Sequence, residues 1–154
     1  MIQRIQTFFL AVSFLLISIM FTMPLIEFVT EAGDLYQFTF KGLFKLNAEG
    51  MELVENNWAI TGMLGLIVLM HGVIIASFKH RVRQMRLTVF TIFLLVGFFA
   101  IGFYMASSYA DMVNGQHSFT IGTIFPIVAI ILDALAIRAI GRDEALVRSV
   151  DRIR

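Results

Sequence analysis

Two ionisable residues, His71 and Asp133, lie deep inside long apolar stretches of this 154-residue chain. An imidazole and a carboxylate can exchange a proton, and either group is costly to leave unpaired in hydrocarbon. We therefore expect both side chains to face other helices, and they can meet if those helices are neighbours. Such a pair either holds helices together or relays protons. A relay needs a second carboxylate or a polar track to both surfaces.

No other pattern in the sequence predicts catalytic chemistry. The chain has no cysteine, which removes thiol nucleophiles, disulfides and cysteine-ligated metal sites. Metalloprotease, hydrolase and phosphate-loop motifs are absent, and His71, His80 and His117 lie in different parts of the chain. We expect a protein that is not an enzyme, has no catalytic residues, and binds neither a cofactor nor a metal ion.

Four apolar stretches are long enough to cross a bilayer, which needs about 20 mostly apolar residues. The chain is 58% apolar and 15% charged, with a mean hydropathy of +0.84. Soluble domains average roughly 45–50% apolar and 25% charged. The predicted spans are 8–26, 58–78, 87–106 and 119–137, within a single integral membrane domain that covers residues 1–154.

The basic residues are unevenly distributed and predict the orientation. Of the 12 Lys and Arg residues, all but Lys41 and Lys45 precede the first span, link the second to the third, or follow the fourth. Loops rich in Lys and Arg stay in the cytoplasm, so both termini are predicted to be cytoplasmic. The basic residues expected at the membrane surface are Lys79, Arg81, Arg83, Arg86, Arg142, Arg148, Arg152 and Arg154.

The segments outside the spans have patterns of their own. In the first outer loop, residues 27–57, aromatic residues alternate with polar ones over 36–41, which predicts a small β-hairpin or three-stranded sheet. This element is either a docking surface for a partner or a cap over the helices. In the tail, residues 138–154, apolar residues recur at helical spacing, which predicts an amphipathic helix on the membrane surface.

Small residues at helical spacing indicate where helices approach closely. They are Gly65, Gly72, Ala76, Gly102 and Ala106. The pattern does not distinguish packing within the chain from packing against another subunit, so a homo-oligomer is possible. Pro126 within the fourth span predicts a kink near Gly122, because proline lacks the backbone N–H that a helix interior needs.

The two ends of the chain carry a resemblance to a known family. The chain starts Met1-Ile2-Gln3-Arg4-Ile5-Gln6-Thr7, and its tail contains Asp143-Glu144, Leu146-Val147-Arg148-Ser149 and Asp151-Arg152. With four spans, it resembles the domain-of-unknown-function 4293 family of small Bacteroidota membrane proteins over its full length. The resemblance implies the inner membrane of a Gram-negative cell and no known activity or cofactor. The layout is also similar in shape to the claudins, whose outer-loop cysteines and Gly-Leu-Trp motif are missing here.

The predicted fold class is therefore an all-α membrane protein, an up-down bundle of four transmembrane helices with a small extracytoplasmic β-element and a C-terminal amphipathic helix. We expect a non-enzymatic accessory or scaffolding subunit of a larger inner-membrane complex, whose partners are membrane lipids and other inner-membrane proteins and not nucleic acid. One alternative is a small transporter or proton-coupled protein that uses His71 and Asp133. Another is a lipid-binding protein with a cleft lined by Phe93, Phe98 and Phe103.

Overall fold

The computed structural model describes residues 3–48 and 50–151, except for the side chains of residues 3, 4 and 146–151. Four helices are combined with one antiparallel sheet of five strands, in the order β4-β3-β2-β1-β5. The elements are α1 (Gln3–Ile19), β1 (Ile26–Thr30), β2 (Leu35–Thr39), β3 (Gly42–Asn47), β4 (Gly50–Asn56), α2 (Trp58–Ala76), α3 (Arg81–Val113), β5 (Gly115–Phe119), a 3-10 turn (Ile121–Ile124) and α4 (Phe125–Asp151).

The predicted all-α fold class is wrong, because the β-element is a full sheet rather than a hairpin or a three-stranded ribbon. The first outer loop supplies four strands, and the second supplies β5, which pairs with β1 in the register Ile26–Phe119. The sequence pattern did not reveal β4 because all seven of its residues are exposed. A strand without a buried face has no alternation to detect.

The prediction of four transmembrane helices is also wrong. In the described part of the chain, three segments are long and apolar enough to cross a membrane: Trp58–Ala76, Arg81–Val113 and Ile121–Ala145. Helix α1 is shorter, with 17 residues against the roughly 20 that are typical of a crossing, because the chain turns after Ile19 and enters β1 at Ile26. Only 22–28% of each apolar window is buried within the protein. Hydrocarbon is the solvent that suits such a surface, so this is a membrane protein.

The helices pack in the cyclic order α1, α2, α3, α4, with α4 closing against α1, so α2 and α4 lie diagonally opposite each other. The side chain of Asn57 caps α2 by accepting a hydrogen bond from the N–H of Ile60. Asn114, in the left-handed conformation (φ 50°), ends α3 and turns the chain into β5. We call the end of the helices that carries the sheet the sheet end, and the opposite end the basic end.

The predicted tail helix is not a separate element. Helix α4 continues without a break to Asp151, while residues 152–154 lie outside the described part. Pro126 is the second residue of α4, where its missing N–H needs no partner, so no kink forms inside the helix. Gly122, in the preceding turn, approaches the link between α1 and β1 so closely that a Cβ would lie 2.5 Å from the carbonyl oxygen of Pro24.

The inner face of the sheet packs on the sheet end of the helices. Its central row, Ile26, Phe38 and Leu43, is buried, and the ring of Phe38 meets that of Tyr109 on α3 edge-on at 5.2 Å. Gly42 joins β2 to β3 with φ +146°, where a Cβ would lie 2.0 Å from the carbonyl oxygen of Glu55. The sheet is therefore held on the helices through aromatic and aliphatic contacts.

Candidate functional site

The side chains of His71 and Asp133 meet in the middle of the helices. His71 Nε2 lies 3.2 Å from Asp133 Oδ2, and both side chains are completely buried. Their helices, α2 and α4, are diagonal, so the contact crosses the interior between α1 and α3. On α1, the hydroxyl of Ser13 lies 3.0 Å from the same imidazole nitrogen and 3.5 Å from the carbonyl oxygen of Ala129. One cluster thus joins three helices.

The local sequences explain why these residues face inward. Ser13 continues a buried stripe of α1, with Leu10 and Ile17 one turn away on either side. Asp133 lies between Ala129 and Ala136, which are also buried. Small alanines one turn above and below a polar residue let neighbouring helices approach it closely, and α1 and α4 share the most extensive helix contact in the described chain.

The hydrogen bonds of His71 define where protons must lie. His71 Nδ1 is 3.0 Å from the carbonyl oxygen of Ile67, which can only accept, so Nδ1 carries a hydrogen. The other nitrogen, Nε2, faces Asp133 Oδ2, and this contact is attractive only with a proton between the two atoms. Imidazolium with carboxylate and imidazole with carboxylic acid both meet that condition. In either state the pair is electrically neutral, as burial in hydrocarbon demands.

The carboxylate of Asp133 is nevertheless incompletely satisfied. Its Oδ2 lies within ion-pair distance of the imidazole, but no described group donates a hydrogen bond of good geometry to either carboxylate oxygen. The hydroxyls of Thr88 and Thr91 on α3 donate to carbonyls of their own helix, so they add nothing to the carboxylate. The amide of Gln84 donates to the carbonyl of Ile74. Removing the imidazole would therefore leave a buried carboxylate with no described donor.

The layer of Ser13, His71 and Asp133 has different surroundings on its two sides. Toward the sheet end lies the main apolar core, which includes Ile17, Ile67 and Leu95. Toward the basic end lies a thinner cluster of Leu10, Ile74 and Ala136. The buried side chains of Gln6, Gln84 and Asp143 accompany this cluster. The pair is therefore sealed by apolar residues toward the sheet end, and polar side chains lie between it and the basic end.

The small residues predicted for helix packing differ in burial. Gly72 and Ala76 are exposed, and a Cβ at Gly65, Gly72 or Gly102 would meet no atom within 4 Å. Ala106 is buried in the main core. The α2 positions thus face away from the rest of this chain.

The predicted lipid-binding phenylalanines do not form one cleft. Phe98 and Phe103 line a small apolar cavity between α3, α4 and the base of the sheet. Phe93 does not line this cavity, and its side chain is 70% exposed on the outside of α3.

The predicted basic residues fall into three groups. Lys79, Arg81, Arg83 and Arg86 line one cavity at the turn between α2 and α3. Arg142 is exposed on α4. The side chain of Arg148, and Arg152 and Arg154 as a whole, lie outside the described part of the structure.

A second candidate site is the face of the sheet that points away from the core. The strand registers align Val29, Leu35, Leu46 and Met51 in one row across β1, β2, β3 and β4. We call these four residues the outer row. Val29, Leu35 and Met51 are 43%, 46% and 62% exposed, and Leu53 in the adjacent row is 50% exposed. An apolar surface of this kind on a folded sheet is a candidate interaction site.

Polar groups border the outer row. In the next row Gln37 donates a hydrogen bond to Glu27 at 2.8 Å. On the other face of the sheet, in the row of Tyr36, Lys45 pairs with Asp34 at 2.9 Å, and this hydrogen bond raises the pKa of Lys45 above its ordinary value. Beside the row, β4 is an edge strand that has β3 on one side only. Its second side leaves backbone donors and acceptors available.

A protein-family profile described as "Domain of unknown function (DUF4293)" matches residues 2–153. The chain belongs to this family. The resemblance carried by the two ends of the sequence is therefore confirmed. No curated protein matches the chain.

In this DUF4293 protein, sequence reasoning found His71 and Asp133 but missed Ser13 and the outer row. Ser13 could have been found from the buried stripe of α1, in which Gln6 and Ser13 are polar members at helical spacing. The outer row has no such signal, because its four residues come from four strands and align only once the registers are known. Of the two sites, the outer row is the one that another macromolecule can reach.

Proposed function

We propose that the protein is a non-enzymatic accessory subunit that docks onto a larger assembly in the bacterial inner membrane through the outer face of its sheet. The observation that carries the proposal is the outer row. Its four apolar side chains are aligned on the face of the sheet that does not pack on the hydrophobic core. An apolar patch with a polar rim is typical of a protein–protein interface.

The occupant we assign to this surface is an extracytoplasmic segment of a partner membrane protein. The two outer loops are strongly acidic, with only Lys41 and Lys45 as basic residues. Their acidic residues are Glu27, Glu31, Asp34, Glu49, Glu52, Glu55 and Asp111. A complementary partner therefore presents apolar side chains with a basic rim. The open edge of β4 also allows a partner strand to extend the sheet through backbone hydrogen bonds.

The buried cluster has a supporting role in this proposal. Ser13, His71 and Asp133 fix α1, α2 and α4 relative to one another, and α1 and α2 lead directly into and out of the four strands of the first outer loop. A rigid sheet loses less entropy on docking than a mobile one. The basic end faces the cytoplasm in this arrangement, as the distribution of Lys and Arg favours.

Photo-crosslinking in native membranes tests the proposal. A photoreactive amino acid in place of Met51 should give one adduct of fixed mass whose second component is a membrane protein with an extracytoplasmic segment. The same residue in place of Ser108, which is exposed on α3 away from the sheet's outer face, is the matched control. Leu35→Glu should abolish the adduct at position 51 without reducing the amount of protein in the membrane.

Two results would contradict docking. One is the absence of any adduct at position 51 together with a single-chain mass after mild detergent extraction. The other is an adduct that contains only a second copy of this chain, because the outer row would then serve self-association.

Proton-coupled transport is a second candidate, favoured by the contact between His71 and Asp133 with its shared proton. In this case Asp133→Asn and His71→Ala should each abolish proton uptake into liposomes that contain the purified protein and an internal pH-sensitive dye. Thr91→Val, which alters a buried hydroxyl on α3 bonded only to its own helix, is the control. Proton uptake that is equal for the wild type, the three variants and empty liposomes would exclude this function.

A further inference from the structure

A basic cavity lies at the turn between α2 and α3, at the basic end of two membrane-spanning helices. Its basic side chains are Lys79, Arg81, Arg83 and Arg86, and it is also lined by His80, Val82 and Glu144. We refer to it as the corner cavity. Four cations within eight residues repel one another unless anions lie nearby.

The described residues that line the corner cavity carry more positive than negative charge. The ion pairs Lys45–Asp34 and His71–Asp133 lie elsewhere in the described chain and use none of the four basic side chains of the cavity. Arg83 and Arg86 are exposed. Among the described residues that line the cavity, Glu144 contributes one negative charge against four positive charges.

The backbone at this corner adds hydrogen-bond donors. Helix α3 begins at Arg81, and its N-cap residue, His80, makes no capping hydrogen bond with its side chain. The first N–H groups of a helix have no partner within the helix and attract negative charge. These N–H groups supplement the guanidinium groups, which match phosphate oxygens in geometry.

The surface next to the cavity is apolar and continues along α3 into the membrane. Val82 lines the cavity and is exposed, and Arg86 follows it one turn later. The next turns of the same face carry Phe90 and Phe93, which are both more than half exposed. A ligand that is anionic at one end and carries long apolar chains at the other would match this sequence of surfaces.

We infer that the corner cavity binds the phosphate headgroup of an anionic glycerophospholipid, with an acyl chain lying along Phe90 and Phe93. This is a discrete site and differs from general attraction of a basic loop to the membrane. Its ligand preference follows from charge: a headgroup with net negative charge binds, and a zwitterionic headgroup with the same acyl chains binds less well.

Native mass spectrometry of the full chain with defined lipids tests the inference. Phosphatidylglycerol and phosphatidylethanolamine with identical acyl chains are added to the detergent-purified protein. The wild type should retain one phosphatidylglycerol per chain in preference to phosphatidylethanolamine. Each basic side chain near an anionic lipid surface contributes about fivefold to binding. Arg83→Gln with Arg86→Gln should therefore weaken retention by roughly 25-fold.

A matched control separates a site from simple net charge. Arg138→Gln with Arg142→Gln removes the same charge from exposed positions on α4 that do not line the corner cavity, and it should leave retention unchanged. Equal losses in the two double variants would overturn the inference, as would equal retention of the two lipids by the wild type. Full displacement of the lipid by glycerol 3-phosphate at matched concentration would also overturn it, because the site would then recognise phosphate without acyl chains.

Discussion

His71 and Asp133 contact each other at 3.2 Å from diagonally opposite helices, and the contact passes through the centre of the protein. Neighbouring helices are held by many surface contacts, but a diagonal pair depends on side chains that reach across. The contact therefore restricts the relative positions of all four helices, because both side chains are enclosed between α1 and α3.

The two partners should differ in the cost of their removal. His71→Phe leaves the buried carboxylate of Asp133 without its counter-ion, and we expect it to lower the free energy of unfolding by about 3–5 kcal/mol. Asp133→Asn keeps a group that can donate to the imidazole, so it should cost less. Replacing both residues, His71→Phe with Asp133→Leu, should restore most of the loss. Denaturant unfolding in mixed micelles measures all three, and equal losses for the two single variants would contradict the account.

The sequence revealed this pair because hydrocarbon makes isolated ionisable residues conspicuous: two such residues in long apolar stretches have to find partners. It did not reveal the geometry of the contact. Residue spacing fixes the depth of a side chain along its helix. The cyclic order of the helices depends on how α1 packs against α4, to which Ala129 and Ala136 contribute.

The errors in the fold have a different physical origin. Apolar composition predicted a span to residue 26, but residues 25 and 26 are apolar because they lie in the core beneath the sheet rather than in lipid. Composition alone does not distinguish these two apolar environments. The same limitation hid β5, whose residues are mostly exposed and which joins the sheet by pairing with β1, a partner about 90 residues earlier in the chain.

Two glycines should respond oppositely to the same substitution. Gly122→Ala places a Cβ 2.5 Å from the Pro24 carbonyl oxygen, so the backbone has to move, and we expect a loss of about 1–3 kcal/mol in the free energy of unfolding. Gly72→Ala meets no atom within 4 Å and lies in a helix, where alanine is favoured, so it should be neutral or slightly stabilising. Thermal unfolding in detergent compares them, and a loss at Gly72 as large as that at Gly122 would indicate that α2 packs against a second subunit.

Gly42→Ala should loosen the outer half of the sheet. The new Cβ would lie 2.0 Å from the carbonyl oxygen of Glu55, in a backbone conformation that non-glycine residues rarely adopt. We expect a cost of about 1–3 kcal/mol and faster amide hydrogen exchange in β3 and β4. Gly33→Ala, at a turn with positive φ but no neighbouring atom within 4 Å, is the control. Unchanged exchange in β3 and β4 would contradict the close approach.

The two faces of the sheet should tolerate charge differently. Leu35→Glu alters an exposed residue of the outer row, and we expect it to change the free energy of unfolding by no more than about 0.5 kcal/mol. Leu43→Glu introduces a carboxylate into the buried inner row and should prevent stable folding of the sheet. Expression level and circular dichroism in detergent distinguish them. Unfolding by Leu35→Glu would mean that the outer row serves stability rather than docking.

Cysteine labelling tests most directly whether a partner covers the outer row on the outer side of the membrane, and the absence of native cysteine gives it a clean background. The single variants are Met51→Cys in the outer row, Ala32→Cys in the exposed turn between β1 and β2, and Arg83→Cys at the basic end. With an impermeant maleimide on intact spheroplasts, we predict that position 32 reacts, position 83 reacts only after permeabilisation, and position 51 reacts only after detergent purification. Equal labelling of positions 51 and 32 in spheroplasts would contradict docking, and labelling of position 83 without permeabilisation would contradict the orientation.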